Sequence, residues 1–171
     1  MTRFSQWLAE LREAHDKARA GGLDAQALAA HLRERDQLLN TLLVAQQISF
    51  DYHRPVRQAM RISWALPITL ALSSGQVRAV TLDVSAGGFS TLLGAQPPAD
   101  EEIAFTLRLP GGESISGSAR VVAATAQPGN VRASFSFAKV AEADVERVRA
   151  FLFEKVLGVL APPRSRAPTS P

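Results

Sequence analysis

Apolar residues in the first fifty positions of the chain recur with the spacing of an α-helix. Phe4, Leu8 and Leu11 lie on one helical face, and Gly21-Gly22 ends this first stretch. A second apolar series runs through residues 28–43. Two amphipathic helices joined by a short turn predict an antiparallel helical hairpin. A hairpin of this size buries too little surface to be stable by itself, so we expect its apolar seam to be an interface with the rest of the chain or with a second copy.

From about Ile62 the apolar positions alternate with a period of two, which is typical of β-strands. Glycine, proline and serine turns separate six such segments: residues 67–72, 76–84, 89–93, 102–109, 114–126 and 131–137. Because no helical segment separates them, they favour a small antiparallel barrel over a parallel sheet. Residues 144–160 return to helical spacing, and we expect this helix to cover one mouth of the barrel. The predicted fold class is α+β: a six-stranded antiparallel β-barrel with a C-terminal helix, preceded by an α-helical hairpin.

The same pattern divides the chain into three predicted parts. Residues 1–50 form the N-terminal helical hairpin, and residues 51–160 form the barrel domain with its C-terminal helix. Residues 161–171 are rich in proline and predict a disordered tail. No stretch approaches the length of apolar sequence that spans a bilayer, so we predict no membrane insertion and a cytoplasmic location.

Composition narrows the chemistry that the chain can perform. The 171 residues include no cysteine, which excludes disulfides, thiolate metal sites and cysteine nucleophiles. The three histidines are too widely spaced to suggest a zinc site, so we predict no metal. The sequence shows neither a nucleophile–base pair nor a phosphate-binding glycine loop, and we therefore predict a protein that is not an enzyme and carries no cofactor.

Positive charge is concentrated in one short part of the chain. The formal net charge is +3, and the segment 51–80 contains four arginines against one acidic residue. The segment 81–140 has more acidic than basic residues, whereas proteins that bind nucleic acid spread basic residues along a face, so nucleic-acid binding is disfavoured. We interpret four strand arginines as outward-facing residues without a role: Arg78, Arg108, Arg120 and Arg132.

Two short motifs carry the candidate chemistry. Arg57 and Arg61 form an R-x-x-x-R pair just before the first strand, and residues 83–88 have the pattern D-x-S-x-x-G at the end of the second. Arginine donates bidentate hydrogen bonds to phosphate and to O6 and N7 of guanine. A carboxylate such as that of Asp83 accepts hydrogen bonds from N1–H and N2–H of guanine. A guanine nucleotide with more than one phosphate linkage would therefore use both motifs.

At these residues the sequence resembles the PilZ domain family of cyclic di-GMP receptors, over about residues 53–157. The resemblance implies a six-stranded barrel on which both motifs hold cyclic di-GMP, as the arginine segment folds over the nucleotide. It implies that Arg57 and Arg61 contact phosphate and guanine. It also implies that Asp83 and Ser85 bind the guanine edge or a phosphate.

The resemblance extends to three further positions. Gly88 would permit close approach of the backbone to the ligand, and Arg54 and Gly87 are additional candidates for the site. Family members that bind a ligand dimer tend to have another arginine directly before the R-x-x-x-R motif, where this chain has Val56. That substitution favours one ligand molecule per chain.

Two functions stay open at this point. The leading hypothesis is a non-enzymatic cyclic di-GMP receptor, in which ordering of residues 51–62 around the ligand reorients the helical hairpin. The hairpin would then dock a protein partner or a second copy of the chain. The alternative is a PilZ-like scaffold that works through protein contacts and does not bind nucleotide.

Overall fold

The computed structural model describes residues 3–48, 59–99 and 101–160 of the chain. Two helices, seven strands and a third helix follow one another in the order α1 (Arg3–Arg19), α2 (Ala25–Ile48), β1 (Arg61–Ile62), β2 (Pro67–Leu72), β3 (Gly75–Ser85), β4 (Gly88–Leu93), β5 (Ile103–Arg108), β6 (Ser114–Gln127), β7 (Asn130–Val140) and α3 (Glu142–Leu160). The six predicted strands are confirmed, each to within a few residues of its expected ends. The predicted tail at 161–171 lies outside the described residues.

Strands β2 to β7 close into an antiparallel barrel. Neighbouring strands follow the order β3-β2-β5-β6-β7-β4, and β4 pairs back with β3 to complete the ring. The predicted six-stranded barrel is therefore confirmed. The two-residue strand β1, which the sequence pattern did not separate from the segment before it, adds to β3 outside the ring.

The alternation along the strands fills the barrel interior. In β5 the side chains of Ile103, Phe105 and Leu107 are buried, and the residues between them are exposed. The Phe89 ring lies 5.0 Å from that of Phe135 and 5.4 Å from that of Phe105, measured between centroids. This apolar interior leaves the outer face of the barrel for polar chemistry.

Helix α3 belongs to two hydrophobic clusters. Around its midpoint, Val148, Phe151 and Leu152 pack into the barrel core, so the predicted covering of the barrel by this helix is confirmed. Further along, α3 contacts the helical hairpin through a second cluster, the hairpin seam, whose buried members are Leu8, Leu11, Leu38, Phe153, Val156 and Leu157. The hairpin therefore packs on the C-terminal helix of its own chain. None of the described helices combines the length and apolar character needed to cross a bilayer.

Local sequence signals set the ends of the hairpin helices. Gly21 takes a φ of +70°, and the Gly22 N–H donates to the Lys17 carbonyl at 2.9 Å, which ends α1. Asp24 caps the start of α2, because its Oδ1 accepts the Ala27 N–H at 2.8 Å. These two signals confirm the short turn that the sequence predicts.

Two histidines are buried where the hairpin meets α3. Nδ1 of His15 lies 3.4 Å from Nε2 of His31, and both rings lie edge-on against Phe153. Burial and the neighbouring His31 lower the pKa of His15 below 6.5, against an opposing effect of Glu154. Burial and the nearby Arg35 likewise lower the pKa of His31.

This pair predicts a loss of stability under mild acid. The unfolded chain protonates its histidines near pH 6.5, whereas the folded chain resists protonation of both, so the free energy of unfolding falls as the pH drops below about 6.5. Glu102 does not contribute in this window, because its pKa is about 2.

Thermal unfolding between pH 7.5 and 5.5 measures the effect. We expect the double variant His15→Gln, His31→Gln to show a flatter pH dependence than wild type. An unchanged pH dependence in the double variant would contradict this assignment.

Candidate functional site

Strand β1 places the end of the arginine motif beside the aspartate motif. Arg61 pairs with Ser85, and Ile62 pairs with Val84, at the end of β3. The register of β3 against β4 shifts between Thr81 and Asp83, which marks a bulge at the start of the D-x-S-x-x-G segment. The two motifs are thus neighbours on the outside of the barrel, although 22 positions separate Arg61 from Asp83.

Asp83 is the centre of a polar network. Its Oδ1 accepts a hydrogen bond from Nη1 of Arg61 at 3.1 Å. Its Oδ2 accepts bonds from Oγ of Ser90 at 2.6 Å and from Nη2 of Arg132 at 3.3 Å. The Asp83 side chain is only 14% exposed, whereas those of Arg61 and Arg132 are 28% and 50% exposed. Two guanidinium groups against one carboxylate leave the network with a net positive charge on an accessible face.

Arg132, for which we predicted no role, is a member of this network. It faces outward, as expected for a strand arginine. Its guanidinium is half-exposed and forms an ion pair with Asp83. The cause is the order of strands, because β4 lies between β3 and β7 and pairs Leu92 with Arg132. No local sequence signal marks Arg132, because its contact with Asp83 depends on the order of the strands around the barrel.

The Ser85 hydroxyl lies inside the turn between β3 and β4. It donates to the Gly88 carbonyl at 3.2 Å and accepts the Gly87 N–H at 3.3 Å, and the residue is 3% exposed. Gly87 itself is exposed, and its carbonyl accepts the Phe137 N–H at 2.8 Å. In this structure the serine therefore organises the turn that holds Asp83 in place.

Gly88 lies against the backbone of β7. A Cβ atom at this position would overlap the carbonyl oxygen of Phe135 and would lie 3.0 Å from Cα of Ser136. The close approach that requires glycine here is consequently between two strands of the barrel.

The remaining predicted site residues belong to the arginine segment. Arg54 and Arg57 lie outside the described residues, so their places in the site stay predictions. Of the R-x-x-x-R pair, the structure brings Arg61 to the aspartate motif.

Similarity to a known protein family covers the barrel part of the chain, which carries this site. The family model of the PilZ domain matches residues 55–154, which is more than half of the chain. The chain belongs to the PilZ domain family. The match agrees closely with the span over which the sequence resembles that family. Comparison with curated protein sequences gives no match.

Solved structures share the PilZ fold with this chain. The inhibitor of motility MotI/DgrA of Bacillus subtilis aligns with a TM-score of 0.55 and 20% identity, over 61% of this chain and 53% of that protein. YcgR of Escherichia coli, solved in complex with c-di-GMP, aligns with a TM-score of 0.53 and 19% identity, over 60% and 47% of the two chains. MrkH of K. pneumonia, also solved as a c-di-GMP complex, aligns with a TM-score of 0.52 and 15% identity, over 62% and 54%. The matched region thus spans about half the length of each of these proteins.

Proposed function

We propose that this PilZ protein is a receptor for cyclic di-GMP, which it binds on the outer face of the barrel around Asp83. The observation that carries the proposal is the contact between Arg61 and Asp83, because it joins the end of the arginine motif to the start of the aspartate motif at one accessible place. YcgR and MrkH, which share the fold, were solved in complex with this nucleotide. Family membership and the presence of both motifs support the same ligand.

The network around Asp83 has the groups that a cyclic guanine dinucleotide requires. In the bound state N1–H and N2–H of a guanine would donate to Asp83. Arg61 and Arg132 would exchange this carboxylate for phosphate oxygens or for O6 and N7 of guanine, to which arginine donates in bidentate geometry. Arg57 would reach the nucleotide from the arginine segment, with Arg54 as a further candidate.

The turn between β3 and β4 completes the proposed site. Ser85 and Gly88 are proposed contacts, and Gly87 is a further candidate because its backbone is exposed at the turn. Since Ser85 is buried and hydrogen-bonded within the turn, its contribution would include holding Asp83 at the edge of the site. Val56 favours one nucleotide per chain, so we propose a stoichiometry of one.

Titration calorimetry with cyclic di-GMP tests the proposal. We expect wild type to bind, and each lost charge-assisted contact to weaken binding by about 1.5–3 kcal/mol, which is tenfold or more. The double variant Arg57→Ala, Arg61→Ala and the single variant Asp83→Ala should therefore each lose at least tenfold in affinity. Arg78→Ala, which removes an exposed arginine of β3 away from Asp83, is the matched control and should bind as wild type.

Three outcomes of this titration bear on the proposal. Equal binding by wild type and the double variant would place the nucleotide elsewhere on the molecule. Equal binding of GTP or cyclic di-AMP would contradict the proposed selectivity for cyclic di-GMP. A folded wild type that does not bind would favour the alternative, a scaffold that acts through protein contacts.

We propose that the protein is a binding module and not an enzyme. It would bind the nucleotide as a signal and would use no cofactor. Closure of residues 51–60 over the ligand would be transmitted to the helical hairpin, because this stretch of chain joins α2 to β1, whose residues already pair with β3. The hairpin would present its outer surface to a protein partner or to a second copy of the chain.

A further inference from the structure

The side-chain amide of Gln46, near the end of α2, holds the main chain of Arg61. Its Nε2 donates to the Arg61 carbonyl at 2.9 Å, and its Oε1 lies 3.4 Å from the Arg61 N–H, which donates to it. A primary amide has one donor side and one acceptor side, so it can bond both backbone groups of one extended residue. The helical hairpin and the arginine motif thus meet at a two-point contact.

The residue before Arg61 is anchored to the same helices. Met60 packs against the hairpin seam, as do Leu39 and Leu42 of α2. Arg61 also contacts the barrel: it pairs with Ser85 of β3, and its guanidinium forms an ion pair with Asp83. Arg61 is consequently held by the barrel through its side chain and its strand pairing, and by α2 through its backbone.

An arginine that binds a ligand gains from a fixed backbone. Its long side chain loses rotational freedom when it binds, which costs conformational entropy. If the backbone that carries the side chain is already fixed, less additional entropy is lost on binding. The strand pairing of β1 is only two residues long, so it supplies few backbone bonds to hold Arg61. The Gln46 amide adds two bonds at the position that carries the guanidinium.

We infer that Gln46 is a positioning residue for Arg61, and that through this contact α2 becomes part of the ligand-binding site. The inference rests on the proposed function, since the ligand in question is cyclic di-GMP. It also specifies a path by which the site and the hairpin influence each other. Because such coupling is reciprocal, a ligand that fixes Arg61 also strengthens the contact between Arg61 and α2.

The test compares Gln46→Leu with wild type in the full-length chain. Leucine keeps the bulk of the side chain and removes both hydrogen bonds to Arg61. We expect the affinity for cyclic di-GMP to fall about three- to tenfold, as for the loss of one or two ordinary hydrogen bonds. We also expect faster hydrogen exchange at the Arg61 amide, with little change in the midpoint of thermal unfolding. Gln37→Leu is the matched control, because Gln37 is an exposed residue of the same helix.

The outcomes separate this inference from the proposed function. A wild-type chain that does not bind cyclic di-GMP overturns the proposed function and the inference together. A wild type that binds, with Gln46→Leu binding equally well and protecting the Arg61 amide equally, overturns the inference alone. Gln46→Ala removes the same bonds without an added apolar group, and it must weaken binding in the same direction. Loss of affinity in Gln37→Leu of the same size would also overturn the inference.

Discussion

The Gly88→Ala variant is expected to lose about 2–4 kcal/mol of folding free energy, because its new methyl group has no space. The added Cβ would overlap the Phe135 carbonyl oxygen, and it meets backbone atoms that cannot rotate away as a flexible side chain would. Relief requires β4 and β7 to separate at the point where Gly88 pairs with Ser136. Denaturant unfolding followed by circular dichroism measures the loss.

The neighbouring glycine provides the control for this substitution. At Gly87 an added Cβ would meet only the Ser85 Oγ, at 4.0 Å, which is an ordinary contact distance. We expect Gly87→Ala to change the free energy of unfolding by less than about 1 kcal/mol. Equal stabilities of the two alanine variants would show that the close approach of β7 does not constrain position 88.

The second large effect is expected at the buried guanidinium of Arg35, which links α2 to α3. The Arg35 side chain is 4% exposed and forms a two-point ion pair with Glu146, and its Nη2 also donates to Asp36 at 2.8 Å. Burial disfavours the charged form of Arg35, but the bonds to both carboxylates outweigh it and raise the pKa of Arg35. Glu146→Ala would leave this charge buried with Asp36 alone.

Removing one partner of a buried ion pair costs about 3–5 kcal/mol. Because Glu146 is 41% exposed and Asp36 remains beside Arg35, we expect a smaller loss of about 2–3 kcal/mol. Glu142→Ala on the same helix is the control. Its carboxylate is 81% exposed and pairs with Arg149, so its removal should cost less than about 1 kcal/mol. Chemical denaturation of the two variants compares them, and similar losses would mean that the Arg35 pair adds nothing to the attachment of the hairpin.

The sequence predicted most of the architecture because its signals are local. Alternation of apolar residues defined the six barrel strands, as in β5, and glycine or proline turns set their ends. The hairpin followed from helical spacing and from the glycine pair Gly21-Gly22. Each of these signals acts over a few residues, so it is visible without knowledge of the fold.

Contacts that depend on strand order were beyond the sequence. Arg132 meets Asp83 only because β7 follows β4 around the barrel, across 49 positions of chain. Gln46 meets Arg61 only because β1 returns to the end of α2. Likewise, the sequence could not show whether this chain or another copy covers the hairpin seam. Apolar spacing shows that a helix face is buried, but it does not identify the surface that buries it.

The placement of α3 has a mechanical consequence. Its middle part packs into the barrel core through Val148 and Leu152, whereas Leu157 packs in the hairpin seam. At a rise of 1.5 Å per residue Val148 and Leu157 are about 13 Å apart along the axis, so one continuous helix joins the barrel core to the hairpin seam. A change in the angle of α3 at the barrel would therefore also displace the surface on which the N-terminal helices rest.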